Sequence, residues 1–361
     1  MLCIYDVITL LVFLLFCLQV HSNKSNDKIT FRIGCCAILF IMCFKSPKTG
    51  NGLGDLMHYV NLYLGKASMF DSDEVEPGIK IICQVLNVFP ESEFIFISIT
   101  TLMIMLPILW GINKYSSNKL YSLMLIFILQ GVWLVVYLAM RQAFAQLLLL
   151  SALFVFLNKE QIKYWKLYFI SLIVISTFFH STPYIIIPIA IAIYYIPDKK
   201  RIMYIALILS LLLSSYTSNV IANTFVLYLG GFEQIGRITH YIADDVFEGI
   251  TNQFNFLNFA PLTLLAILLL QYNDFTKQNT YFIKSLVTGV VLYNILGQIP
   301  LVNRAVCFFF VVGLIGAVPQ ITNRKQFYLM SVIALYFIWR SYIHYAASPH
   351  SAYLPYYFIW E

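Results

Sequence analysis

The chain has 361 residues, of which 60% are apolar, 17% aromatic and only 11% charged, and its mean hydropathy is +0.78. Soluble chains carry about 25% charged residues, so this composition excludes a water-soluble globule, a disordered chain and a nucleic-acid-binding protein, and leaves material for roughly ten to twelve membrane spans of about 20 apolar residues each. The formal charge of +6 is informative through where its members lie, because short inner loops of membrane proteins are enriched in Lys and Arg.

Met1 to Val20 contains one charge, Asp6, and the basic residues Lys24, Lys28 and Arg32 follow it. A cleavable signal has its basic residues first; the reverse order describes an uncleaved first span with the amino end outside. The seven cysteines lie mostly within apolar runs, without CxxC or Cys/His spacing, which suggests neither a disulfide framework nor a zinc site.

Twelve apolar runs separated by polar punctuation are read as spans: about 3–20, 31–45, 94–113, 118–137, 140–157, 164–180, 182–197, 201–218, 258–272, 282–297, 304–319 and 326–343. With the amino end outside, the inner loops hold 15 of the 23 basic residues against four acids, giving +11; the other eight bases face 13 acids on the outer side, giving −5. The expected fold is an all-α polytopic membrane protein, a single integral membrane domain of about 12 transmembrane helices with both termini outside. Inner loops are short, whereas segments 46–93 and 219–257 are long outer loops, and long loops usually carry function.

The first outer segment opens with Gly54-Asp55-Leu-Met-His-Tyr59 and continues to Tyr63 and Gly65. Asp55 can cap a short helix that Gly65 closes, and Asp55, Tyr59 and Tyr63 share a face at i, i+4, i+8. That face reads either as a cap with its helix or as a sugar-facing edge of carboxylate and aromatic rings. Glu76-Pro77-Gly78 then starts an amphipathic helix, about 77–89, with Ile79, Ile82, Cys83 and Leu86 on one stripe. It is too short to span and should lie in the membrane interface. Glu76 is either its capping carboxylate or a carboxylate presented to a lipid-linked substrate.

Arg141 opens the fifth span, with Gln142 and Gln146 one turn apart. An arginine near a span end can snorkel to headgroups; on the outer side, against the usual charge bias, it also suggests a local anion such as a lipid pyrophosphate. His180, in Phe-Phe-His-Ser-Thr-Pro, stands at the outer end of a tight hairpin, where Ser181 or Thr182 can cap the next helix. It is a structural histidine, a proton carrier or a phosphate donor. Arg304 opens the eleventh span on the same side, so two arginines and a histidine are expected around one outward cavity. The second long segment carries Gly230-Gly231, Arg237, and the acids Asp244, Asp245 and Glu248. Paired carboxylates can bind a divalent metal, but more often mark a solvated helix end, and no metal or cofactor is expected.

Gly54-Asp55 with Tyr59 and Tyr63, Glu76-Pro77-Gly78, Arg141-Gln142 with Ala145, and Phe179-His180-Ser181 together resemble the Wzy/EpsG group of polysaccharide polymerases over roughly 50–190. The family often places an arginine ahead of the Gly-Asp element, where this chain has Lys45 and Lys48. The resemblance implies a GT-C-like architecture in the bacterial inner membrane. It implies transfer of a growing chain from undecaprenyl pyrophosphate to a new lipid-linked repeat unit on the outer face, for O-antigen, capsule or exopolysaccharide. Under it, Asp55, Glu76 and His180 are candidates for catalysis. Arg141, Gln142, Arg304, Tyr59, Tyr63 and Arg237 are candidates for binding the pyrophosphate and sugars. The expected partners are the lipid-linked oligosaccharide, membrane lipids and a chain-length regulator protein. Alternatives are another lipid-linked-sugar glycosyltransferase or ligase, or a flippase for the same saccharide.

Overall fold

The computed structural model describes residues 4–21, 27–48, 56–66, 75–129, 140–229, 256–276, 279–297, 300–346 and 358–360. Among these the regular structure is helical, in fourteen helices: α1 (Ile4–His21), α2 (Asp27–Cys43), α3 (Leu56–Tyr63), α4 (Pro77–Leu86), α5 (Glu93–Tyr115), α6 (Lys119–Ile128), α7 (Met140–Leu157), α8 (Trp165–Thr177), α9 (Pro183–Tyr195), α10 (Lys200–Leu229), α11 (Phe256–Tyr272), α12 (Thr280–Leu296), α13 (Pro300–Gly316) and α14 (Arg324–Ala346). Each of the twelve apolar runs falls on one of these, and α3 and α4 are the two additional short helices of the first long segment. Two of them, α5 and α7, are long and apolar enough to cross a membrane outright; most of the others are shorter apolar helices.

The side chains that face outward argue for lipid rather than water. In α8 the one buried residue is Ser176, while Leu167 (64% exposed), Ile170, Val174 and Ile175 point away from the protein. The helix is apolar on all sides, and exposed apolar surface on this scale needs an apolar neighbour. On α4 the stripe of Ile79, Ile82, Cys83 and Leu86 is buried against protein, yet Ile81, Val85, Val88 and Phe89 are exposed on and just beyond its opposite face.

The chain divides into two compact units, residues 1–187 with 320–361, and residues 188–319, the boundary falling at Pro188 within α9. In the first unit α1, α2, α5 and α6 pack together, α14 joins α1 and α6, and α7 packs on α5 and α8. Tyr121 of α6 is fully buried and donates its hydroxyl to the Met330 carbonyl of α14 at 2.7 Å. Gly34 lets α2 approach α6, since a methyl group there would lie 3.1 Å from Leu120. The end of the chain returns to the tip of α2, where Ile359 N–H donates to the Phe44 carbonyl at 2.9 Å and Phe358 stacks on Trp360.

At one end of this unit Lys114 donates to Asn158 at 2.5 Å, and Asn158 donates to the Tyr115 hydroxyl at 2.6 Å. The α5–α6 and α7–α8 loops, both assigned to the inner side by charge, therefore meet at one end of the bundle. Arg141 lies at the opposite end of α7, about 24 Å away along a helix rising 1.5 Å per residue.

The second unit is built from the part of α9 beginning at Pro188 and from α10 to α13. Gly313 of α13 lies against the Leu286 backbone of α12, where an added methyl group would come within 2.6 Å. Asn294 of α12 donates to Ser210 of α10 at 2.9 Å and to Thr263 of α11 at 3.0 Å, a buried polar junction of three helices of the kind that fixes helix register in an apolar surround. Lys284 pairs with Asp198 at 2.5 Å and Lys200 with Asp274 at 3.7 Å, which again joins two loops that charge assigns to the inner side.

Several helices differ from their expected bounds: α6 ends at Ile128 where the span was expected to reach 137, residues 130–139 lying outside the described ones, and α4 ends at Leu86 rather than 89. The helix predicted to end near 218 continues to Leu229, eleven residues into the segment read as an outer loop. Ser214, Ser215, Thr217, Ser218 and Asn219 lower the hydropathy there without breaking the helix. The second span begins at Asp27 and ends at Cys43, so Lys45 lies beyond the helix.

Candidate functional site

Three of the predicted residues meet in the first unit although they are far apart in sequence. Arg141, on the first turn of α7, donates from Nη1 to Glu76 Oε2 at 2.7 Å and from Nε to the Tyr59 hydroxyl at 2.9 Å. The Arg141 and Glu76 side chains keep 25% and 28% of their surface exposed, so the pair is fixed in geometry yet open to a ligand. Tyr59 is fully buried in α3, and its hydroxyl sets the plane of the guanidinium.

Glu76 stands at the N-cap position of α4 in an extended conformation, with Pro77 in the first turn. Its backbone carbonyl accepts from Ile79 N–H at 3.1 Å and Lys80 N–H at 3.4 Å. The carboxylate makes no cap hydrogen bond and goes to Arg141 instead, so Glu76 is not a side-chain cap of α4. One reason is local: the Gly78 N–H, which a cap could have taken, is bound to the Phe178 carbonyl at 3.0 Å.

That bond docks the start of α4 on the turn that carries His180. Gly78 is against the ring of Phe179, and Phe179 stacks on Phe144 of α7 at 5.4 Å between centroids. Phe179 therefore wedges between the element bearing Glu76 and the element bearing Arg141. His180 accepts at Nδ1 from Thr182 N–H at 3.1 Å. With Nδ1 an acceptor, the neutral imidazole carries its proton on Nε2, which makes His180 a hydrogen-bond donor rather than a base at that nitrogen.

Two buried polar atoms in these segments have no hydrogen-bond partner among the described residues: Gln142 Nε2, in a side chain 2% exposed, and Thr182 Oγ1. Buried amides and hydroxyls are rarely left unpaired, and a ligand is one way to satisfy them. Ser181 or Thr182 was expected as a helix cap; the Thr182 hydroxyl makes no such bond, although its carbonyl accepts from Ile185 and Ile186 N–H at 3.0 Å.

The other predicted residues are placed as follows. Tyr63 is buried, stacks on Phe96 and donates toward the Leu86 and Pro90 carbonyls at 3.4 Å. Neither Tyr59 nor Tyr63 thus turns a ring face outward for a sugar, because the α3 face that carries them packs on α4 and α5. Asp55, Arg237, Asp244, Asp245 and Glu248 lie outside the described residues. Arg304 is on the first turn of α13 in the second unit, and its side chain is likewise outside them. Sequence reasoning missed the Phe179 wedge between Gly78 and Phe144, and its one signal was the small residue directly after Glu76-Pro77. Among the described residues no group of three His, Cys, Asp or Glu could hold a metal ion.

Arg141, Glu76, Tyr59, the His180 turn and two buried unpaired groups, Gln142 Nε2 and Thr182 Oγ1, are thus contributed by the first unit. No curated protein and no solved structure matches the chain. Residues 28–358 match the model of the EpsG family, and with nine-tenths of its length covered the chain belongs to that family.

Proposed function

We propose that this protein joins lipid-linked oligosaccharide repeat units into a longer polysaccharide at the outer face of the bacterial inner membrane. Family membership makes it a polysaccharide-polymerase-type membrane protein; the substrate, the face and the residues are our reading. The observation that carries it is the Arg141–Glu76–Tyr59 constellation at the end of α7 opposite the lysine-rich loops.

The donor in this reading is a growing chain on undecaprenyl pyrophosphate, whose leaving group is a diphosphate. Arg141 offsets the charge that develops on it, since guanidinium matches phosphate oxygens in two-point geometry. His180 donates from Nε2 to the same group, and a carboxylate takes the proton of the acceptor hydroxyl. Gln142 and Thr182 supply hydrogen bonds to sugar hydroxyls, and Tyr63 supports the site from beneath. A chain-length regulator acts as partner.

The test is reconstitution of the purified protein in proteoliposomes with lipid-linked repeat units. A ladder of products one repeat apart is expected. Transbilayer movement of the substrate without new glycosidic bonds means a flippase, and transfer of a finished chain to a different acceptor means a ligase; either result overturns the proposal.

A further inference from the structure

We infer that Glu76 is the general base of the transfer, and that the donor's diphosphate makes it available by displacing it from Arg141. This rests on the reading of Arg141 as the diphosphate contact. Three observations lead to it. The carboxylate occupies the guanidinium face that a phosphate oxygen needs, at 2.7 Å. Its main chain is held by the Ile79 and Lys80 amides and by Pro77, so release requires only rotation about side-chain bonds, into a region where the group is already partly exposed. His180 already has its Nδ1 engaged by Thr182 N–H, so the lone pair on that nitrogen is taken and does not receive the acceptor's proton.

Before donor binds, Glu76 and Arg141 neutralise each other. A diphosphate offers Arg141 more negative charge and two-point geometry, and its arrival frees Glu76 beside the bond that will break. In the transfer, the acceptor hydroxyl gives its proton to a Glu76 oxygen while its own oxygen forms the new bond to the donor's anomeric carbon. The bond from that carbon to the diphosphate oxygen breaks, and its electron pair leaves with the undecaprenyl diphosphate, held by Arg141. The proton on Glu76 passes to water, and departure of the diphosphate restores the pair. A base formed only in the presence of donor keeps the site from deprotonating an acceptor, or water, when there is nothing to transfer.

The experiment compares the full-length protein with Glu76→Gln, Glu76→Asp and Arg141→Gln in nanodiscs. Binding of undecaprenyl diphosphate and the elongation rate with lipid-linked repeat units are read on each. Glu76→Gln removes the competitor, so undecaprenyl diphosphate should bind about fivefold more tightly, the scale of a partly exposed ion pair. Elongation should fall by about 10²–10⁴, the usual range for loss of a general base. Glu76→Asp keeps the charge on a shorter arm; it should bind the diphosphate more tightly than wild type and retain part of the elongation rate, and it serves if the glutamine variant does not fold. Binding that is unchanged or weaker in both Glu76 variants, or full elongation by Glu76→Gln, overturns the inference. Arg141→Gln separates the two levels: if it binds undecaprenyl diphosphate as wild type does, the reading of Arg141 fails, and if it binds weakly while the Glu76 variants behave as wild type, the displacement alone fails.

Discussion

Gly78 meets Phe179 so closely that a methyl group added at Gly78 would lie 2.7 Å from the ring. Retreat of the ring is opposed on one side by its stacking on Phe144. Gly78→Ala should cost about 1–3 kcal/mol of overpacking and move the start of α4, and with it Glu76, away from Arg141. Elongation in this variant should fall well below wild type while insertion is retained; wild-type elongation by Gly78→Ala would separate the α4 start from the site.

Tyr59→Phe removes the hydroxyl that accepts from Arg141 Nε and leaves the ring packing intact. Loss of one hydrogen bond to a charged group corresponds to about tenfold in rate. The loss should appear in kcat/KM for the lipid-linked donor, with thermal stability little changed. An unaltered kcat/KM would mean that the hydroxyl does not orient the guanidinium.

Gln142→Leu tests the buried unpaired amide. A structural glutamine loses stability when its hydrogen-bonding capacity is removed, whereas an unsatisfied one is replaced at little cost or with gain. The melting temperature should stay the same or rise while elongation declines. A lower melting temperature with normal elongation would assign Gln142 to packing.

The side of the membrane is open to a labelling test. Cysteines placed in the 114–119 loop and at Lys159 should react with impermeant reagent from the inside only, since Lys114 and Asn158 share one end of the bundle. Labelling of the 114–119 loop from outside would invert the arrangement and place Arg141 on the inner face.

Much of the helical layout was legible because apolar runs in a membrane protein are bounded by charge. The run 140–157 coincides with α7 end to end, and Glu76-Pro77 marked the start of α4. Hydropathy was a poorer guide where serines and threonines continue a helix, as in α10 beyond 218. The membership of the site was legible residue by residue, as unusual polar groups in apolar company, but its pairing was not. Tyr59, Glu76 and Arg141 sit on three helices, and no local period links a position on α3 to one on α7. Burial of the α3 face was also hidden: i, i+4, i+8 spacing shows that Asp55, Tyr59 and Tyr63 share a side and says nothing of whether that side meets solvent or α5. The expected ring of two arginines with His180 divides between the units, with Arg141 and His180 in the first and Arg304 in the second.

The most direct test of the account is elongation by Arg141→Lys in proteoliposomes supplied with lipid-linked repeat units. Lysine keeps the charge but lacks the planar fork that holds Glu76 and Tyr59 together and would hold a diphosphate. The account predicts normal insertion with elongation lower by about 10²–10³; product ladders of wild-type length and rate would contradict it.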